Sequence, residues 1–274
     1  FIQKAKRKVR ELGFSFQVDG YEAPDMTRLA EHITFGGLVE MVYAEEPNSI
    51  IWTVRADGQL PAMTYRRDED VVGWGRHILG GVFGTGNSVV DSISSIPGDN
   101  GAGQVQDSTS RDEVWMIVKR TINGATARYI EVLERDFETG HSQEDAYYLD
   151  SLITYDGVSA TVITGLDHLE GLTVGIWADG SIQPNQVVSA GSITLDSAAL
   201  VAQIGIRYQH TLKTLKIEGG NPSGTAQGRT KRIYGITFAV LNSHTVKYGP
   251  DLDNLVEFDF RVVSDLMDTA TPLF

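Results

Sequence analysis

The sequence predicts an all-β chain, and three observations carry that reading. Apolar and polar residues alternate in short runs, Gly, Asn and Asp separate the runs, and helix signals are sparse. The best helical stretch is 24–32, "PDMTRLAEH", where Asp25 is placed to cap and Met26, Leu29 and Ala30 recur at helical spacing. The pattern suits β-propeller-like blades with an inserted β-sandwich or barrel domain. Blades are expected over 1–144, an acidic β-domain over 145–217, and strands returning to the blades over 218–274.

Each hairpin is marked by its corner. "WTVRADGQLPAMTY" reads as two strands joined at Ala56-Asp57-Gly58, and "WMIVKRTINGATARYIEVLE" as two joined at Asn123-Gly124. "LTVGIWADGSI" repeats the Ala-Asp-Gly corner at 178–180. A tight hairpin requires φ > 0 at its corner, which Asn, Asp and Gly adopt at low steric cost. Aligned, the first two hairpins form a weak repeat. Ile51-Trp52-Thr53-Val54 matches Val114-Trp115-Met116-Ile117, Tyr65 matches Tyr129, and an apolar run ("GLVEMVYAEE", "NSVVDSISSIPG") precedes each. The unit is an inner strand, a Trp strand and a Tyr strand, as in successive blades, so the matched aromatics are expected to pack between sheets.

The remaining segments follow in order. The insertion 98–113 reads as an exposed loop, and from about 145 short Gly-punctuated strands read as the compact acidic domain. Residues 221–232 read as a polar linker, and "IYGITFAVLNSHTVKYG" and "LVEFDFRVV" as final strands.

Charge and composition restrict function. The chain of 274 residues can bury a sizeable core, and no apolar run is long enough for a membrane helix. It begins at Phe1 with neither Met nor a signal-like stretch, and reads as a piece of a longer protein. Without cysteine there is no disulfide or thiolate chemistry, which suits a reducing cytoplasm. A net charge of −13 opposes tight wrapping of nucleic acid. Lys4, Lys6, Arg7, Lys8 and Arg10 crowd the first ten residues, whereas no Lys or Arg occurs between Asp136 and Ile206, where acids recur.

No stretch carries a catalytic signature. "LGGVFGTGNS" (79–88) lacks the Lys-Ser/Thr ending and the following helix of a phosphate cradle, and reads as a flexible inter-blade loop. Asp68, Glu69 and Asp70 beside Arg66 and Arg67 read as a solvated turn. The histidines never show metal-ligand spacing, no Gly-x-Ser-x-Gly elbow occurs, and Asp99-Asn100-Gly101 and Asp156-Gly157 lack the rest of a calcium loop. Trp74, flanked by Gly73 and Gly75, and its neighbours Arg76 and His77 retain a claim to a subunit interface. So do Lys6, Arg7 and Lys8, set against an acidic neighbour.

Taken in order, "FIQKAKRKVRELGFSF", "DMTRLAEHITFGGLVEMVY", "IIWTVRADGQLPAMTYRRDEDVVGWGRHIL", "HLEGLTVGIWADGSIQPNQVVSAGSITL", "IGIRYQHTLKTLKIE" and "QGRTKRIYGITFAVLNSH" resemble the tail tubular protein B, or tail nozzle, family of short-tailed bacteriophages and prophages. The resemblance implies a virion protein assembled in the host cytoplasm, with no catalytic residues, cofactor or metal. It implies a homo-oligomer, a hexameric ring that meets the tail adaptor and passes double-stranded DNA during ejection. Asp156, Asp167 and Asp179 are then candidates for an acidic channel wall that repels phosphate. Two other readings stand beside it: a module binding host surface polysaccharide through Trp74 and Tyr65, and a glycosidase using Asp57 and Glu113 across adjacent blades.

Overall fold

The computed structural model describes residues 1–97, 111–134, 137, 141–216, 218, 224–226, 228–241, 243 and 245–259. Most of the expected 98–113 loop, with Asp99-Asn100-Gly101, lies outside the described residues, as do Asp136, Glu138 and His244. The chain is all-β, its ladders are antiparallel, and no described sheet closes into a barrel.

Residues 1–10 turn back on themselves through a bridge between Ile2 and Val9. A small hairpin follows, β1 (Gly13–Ser15) and β2 (Gly20–Glu22). The helix expected over 24–32 does not form; α1 is confined to Glu31–Thr34. Two side chains take the groups that such a helix would use. Asp25 Oδ1 accepts the Thr27 N–H at 2.9 Å and its hydroxyl at 2.6 Å, closing an Asx turn. The Met26 carbonyl accepts the Trp74 indole N–H at 2.9 Å in place of a helical N–H.

The first sheet is a meander of β3 (Leu38–Ala44), β4 (Ile50–Arg55), β5 (Leu60–Arg66) and β6 (Val71–His77), paired in that order. Short strands β7 (Val82–Phe83) and β8 (Gly86–Asn87) lead to the second sheet: β9 (Val89–Ile96), β10 (Glu113–Ile122) and β11 (Ala125–Val132). The second sheet's order is β11-β10-β9, so both expected units form with their strands in sequence. The corner between β10 and β11 behaves as its sequence requires, with φ of 47° at Asn123 and 75° at Gly124.

The two sheets pack face to face. Trp52, Val54, Leu60 and Ala62 meet Val90, Ile93, Val114, Met116 and Val118 in one buried cluster. Val118 has no exposed surface and Trp52 only 6%. The other face of the first sheet is covered by the N-terminal segment, where Val9, Leu38 and Met63 form a second cluster with Trp74 against it. Side chains alternate across a strand, so Trp115, one residue from Val114, lies on the opposite face of the second sheet. The matched tryptophans therefore do not share an interface: Trp52 packs between the sheets, and Trp115 faces away.

The third sheet has the order β12-β15-β13-β14, from β12 (Asp150–Thr164), β13 (Thr173–Ala178), β14 (Ser181–Val187) and β15 (Ser192–Ile206). Its two long strands, 15 residues each, change register three times and bend over a core of Ile163, Leu166, Leu169, Val174, Ile176 and Ile204. Of the expected C-terminal strands, β16 (Thr245–Tyr248) and β17 (Val256–Asp259) pair with each other, while residues 207–216 and 228–241 join no ladder.

A buried ionic knot joins the second and third sheets. Arg120 is 1% exposed, yet its guanidinium is satisfied. Nε–H donates to the Gly80 carbonyl at 2.9 Å, and both terminal nitrogens pair with the Glu131 carboxylate. Gly80 N–H in turn donates to Asp150 Oδ2 at 2.5 Å at the start of β12. Ser88, 3% exposed, has its hydroxyl oxygen 2.8 Å from both the Leu79 and the Gly80 carbonyl, which share its one proton. A Cβ on Gly80 would stand 2.8 Å from Ile206 Cγ2 and 2.9 Å from the Arg207 carbonyl. The glycine-rich stretch thus connects the two sheets as expected, but at Leu79–Gly81 it is a packed, hydrogen-bonded anchor and not a flexible loop.

Replacing Arg120 with Met removes the only charge opposite Glu131 in that ion pair. Unfolding in urea is expected to show a loss of about 3 kcal/mol, the cost of an unpaired buried charge. Gly80→Ala should also destabilise, through the clash with Ile206. An unchanged midpoint in Arg120→Met would show that the knot does not hold the sheets.

Candidate functional site

The basic N-terminal turn is only partly available to a partner. Lys8 Nζ lies 2.8 Å from Asp25 and 3.5 Å from Glu31, and Arg10 donates to the Ala23 carbonyl at 2.7 Å. Arg7 lays its guanidinium 4.3 Å from the Phe35 ring, on a ring that is itself exposed. Lys4 and Lys6 make no ion pair among the described residues, so the outward charge is Lys4, Lys6 and Arg7. Burial would raise the Asp25 pKa, but hydrogen bonds from Lys8 and Thr27 outweigh it and bring it to about 2.

Trp74, Arg76 and His77 are neighbours in β6 with different environments. The Trp74 indole is half-buried, held by the Met26 carbonyl and by the cluster around Val9 and Met63, which leaves little of the ring for a partner. Arg76 is exposed. The His77 ring lies 5.1 Å from Trp52, and its Nδ1 is 3.1 Å from the Leu60 carbonyl. Burial of the imidazole edge lowers its pKa, against the Leu60 hydrogen bond.

The three acids proposed for a wall do not form one cluster. Asp156 stands opposite Val201 in the β12–β15 ladder and is exposed. Asp179, at the β13–β14 corner with φ 46°, accepts the backbone N–H groups of Leu200 at 3.1 Å and Val201 at 2.9 Å. It is a local brace as well as a charge. Asp167 lies beyond Thr164, which pairs with Ser192 at the other end of the sheet. Eight residues of strand, roughly 25 Å, separate that end from Asp156.

The carboxylate pair considered for hydrolysis is pulled apart. Asp57 adjoins Gly58, whose carbonyl accepts the Val90 N–H at 2.9 Å near the start of β9, whereas Glu113 pairs with Ile96 at its end. The intervening strand is roughly 20 Å long, well beyond the ~5–10 Å of a glycosidase pair. Each acid also has a structural partner. Asp57 holds Arg55 through bonds of 2.7 and 2.5 Å, which lower its pKa, and Glu113 accepts the Trp115 indole N–H at 2.8 Å. Among the described residues no group of His, Asp and Glu is arranged to hold a metal ion, and no helix is long and apolar enough to cross a membrane.

Two surfaces were not evident from the sequence. The first is an open cleft of about 420 Å³ between the β3–β4 and β5–β6 connections, lined by Tyr43, Glu46, Tyr65, Arg66, Asp68 and Glu69. Residues 66–70 are all exposed, as a solvated turn requires, and Arg67 Nε anchors the turn to Glu11 at 2.9 Å. The second is the outward face of the second sheet, where Trp115 lies opposite Val132 and Ile117 opposite Ile130. Ile117 and Ile130 are 39% and 71% exposed. Neither surface has a motif, because each arises only when separate strands come together.

No protein-family model matches the chain, and no curated protein matches it.

Stability is expected to fall in acid in a defined window. With a folded pKa near 2 against an ordinary 3.8, Asp25 contributes stability that is present above 3.8 and lost as pH drops toward 2. The shift corresponds to roughly 2 kcal/mol. Asp25→Asn should flatten that part of a denaturation-against-pH curve and lower the curve above pH 5 by about the same amount without changing its slope there. Trp74→Ala is expected to cost about 3 kcal/mol in unfolding free energy, which marks a packing residue and not a free binding platform.

Proposed function

We propose that this chain is a structural subunit of a short bacteriophage tail, of the nozzle or tail tubular type, and that it works as a ring through which DNA leaves the particle. The observation that best supports the reading is the directional stacking of its repeats. Trp52 lies in the interface between sheets one and two, and the equivalent Trp115 faces outward beside Ile117 and Ile130. A stack of that kind ends in an unfilled face, and a face of this sort suits assembly with further sheets or subunits. The acidic third sheet adds a physical reason for duplex passage. Exposed carboxylates without neighbouring cations repel phosphate and let DNA slide. Lys4, Lys6 and Arg7 supply a basic patch for an acidic neighbour, whether another copy or a tail adaptor.

The test follows from the acids' separate roles. In particles carrying the double substitution Asp156→Asn and Asp167→Asn, ejection of DNA is expected to slow several-fold, with assembly intact. Asp179→Asn serves as a stability control because its carboxylate braces the Leu200 and Val201 amides. Unchanged ejection kinetics in the double variant would remove the acidic-wall role. Purified chain that stays monomeric by light scattering and shows no ring in electron micrographs would remove the ring.

One observation favours a second reading, recognition of a host surface glycan. The cleft at the β3–β4 and β5–β6 connections combines two tyrosines with carboxylates and a guanidinium, the groups that stack on and hydrogen-bond to sugars. Tyr43→Ala should then abolish a glycan-array signal that Trp74→Phe leaves in place.

A further inference from the structure

The first sheet has four strands and the second, built from the same repeat, has three. Among the described residues, no strand equivalent to β6 pairs with β11. The edge of β11 is open, with Thr126, Arg128 and Ile130 exposed on it. The same chain contains a strand-like segment that joins no ladder, residues 232–241. Tyr234, Ile236, Phe238 and Val240 alternate with Gly235, Thr237 and Ala239, the period of a strand with one apolar face. Tyr234 is 99% exposed and Ile236 51%. An apolar alternation without a partner edge, and a sheet one strand short with an apolar face, are complementary features.

We propose that residues 232–241 of one copy add to the edge of β11 in a second copy, antiparallel, as the fourth strand of its second sheet. Charge and side-chain chemistry favour one register. With Ile236 opposite Ile130, Tyr234 falls beside Val132 and Phe238 beside Arg128, whose guanidinium pairs with Asp91 at 2.9 Å and whose aliphatic stem can lie along the ring. Arg232 then lies beside Glu134, a carboxylate just past the end of β11 that Arg111 already pairs at 3.3 Å and that a second guanidinium can share. Parallel pairing would move Arg232 away from that acid and toward Thr126. In the antiparallel register Tyr234, Ile236 and Phe238 extend the row formed by Trp115, Val132, Ile117 and Ile130, and the added strand bonds to backbone groups at the sheet edge. Each copy both gives a strand and receives one, so the exchange is either reciprocal within a two-fold dimer or runs head-to-tail into a ring or a chain. This goes beyond the tail reading and does not need it, since the exchange follows from the open edge of β11 whatever the assembly carries.

The absence of native cysteine makes the test direct. Full-length chain carrying Val132→Cys is mixed with chain carrying Tyr234→Cys, and the mixture is oxidised and run on a denaturing gel. The expected result is a cross-linked species of twice the chain mass from the mixture, formed far more readily than from a Thr126→Cys and Tyr234→Cys mixture. Ile236→Asp in the Tyr234→Cys chain should suppress it with circular dichroism unchanged. No cross-link from the mixture would overturn the proposal, even if light scattering shows an oligomer, since that oligomer would then use another surface. A cross-link at monomer mobility in the Val132→Cys, Tyr234→Cys double variant, with none in the mixture, would also overturn it, by showing that the strand completes its own sheet. Equal cross-linking at position 126 would overturn the antiparallel register.

Discussion

A guanidinium that cannot reach water organises the centre of this protein. Arg120 sits on the inner face of β10, where desolvation without partners would cost several kcal/mol, so the surroundings are arranged to satisfy it. Glu131 supplies the counter-charge from β11 and the Gly80 carbonyl supplies a neutral acceptor. Gly80 can stand there only because it has no Cβ, and its own N–H then reaches Asp150. That hydrogen bond holds the start of the third sheet against the second. Burial raises the Asp150 pKa, and the Gly80 amide and the Arg120 charge oppose the rise. Three segments far apart in sequence thus meet at one charged residue and its satisfaction.

The consequence for function lies in direction. Two face-to-face sheets can be arranged so that equivalent residues meet, which closes the pair, or so that they point the same way along a stack. Here Trp52 is enclosed and Trp115 is not. The N-terminal segment covers the free face of the first sheet, and nothing described covers Ile117 and Ile130 on the second. Such an arrangement leaves the outward face of the second sheet, with Trp115, Ile117 and Ile130, uncovered by any described element. The separation of Asp57 from Glu113 along β9 rules out those two acids as a glycosidase pair.

Several early expectations depended on groups whose partners lie elsewhere in the chain. A helix over 24–32 is consistent with local propensity, but Lys8, Thr27 and Trp74 take its capping carboxylate and one of its carbonyls. Trp74 between two glycines reads as an exposed platform until the Met26 carbonyl is found beside it. Asp179 reads as one more surface charge until β15 brings the Leu200 and Val201 amides to it. Each reassignment has one cause: a polar group bonds to the nearest geometrically suited partner, and nearness in space is not visible in sequence spacing.

What the sequence alone determined is therefore local. The all-β class, the strand-by-strand order within the repeat, and the corners at Asn123-Gly124 and Asp179-Gly180 follow from side-chain period and backbone sterics, which act over a few residues. Tertiary structure decided the rest: which tryptophan is enclosed, why Gly80 must be glycine, where the acids stand relative to one another, and which strand-like segment is left without a ladder. These depend on contacts between strands distant in the chain, and no local pattern encodes which faces and edges will be filled.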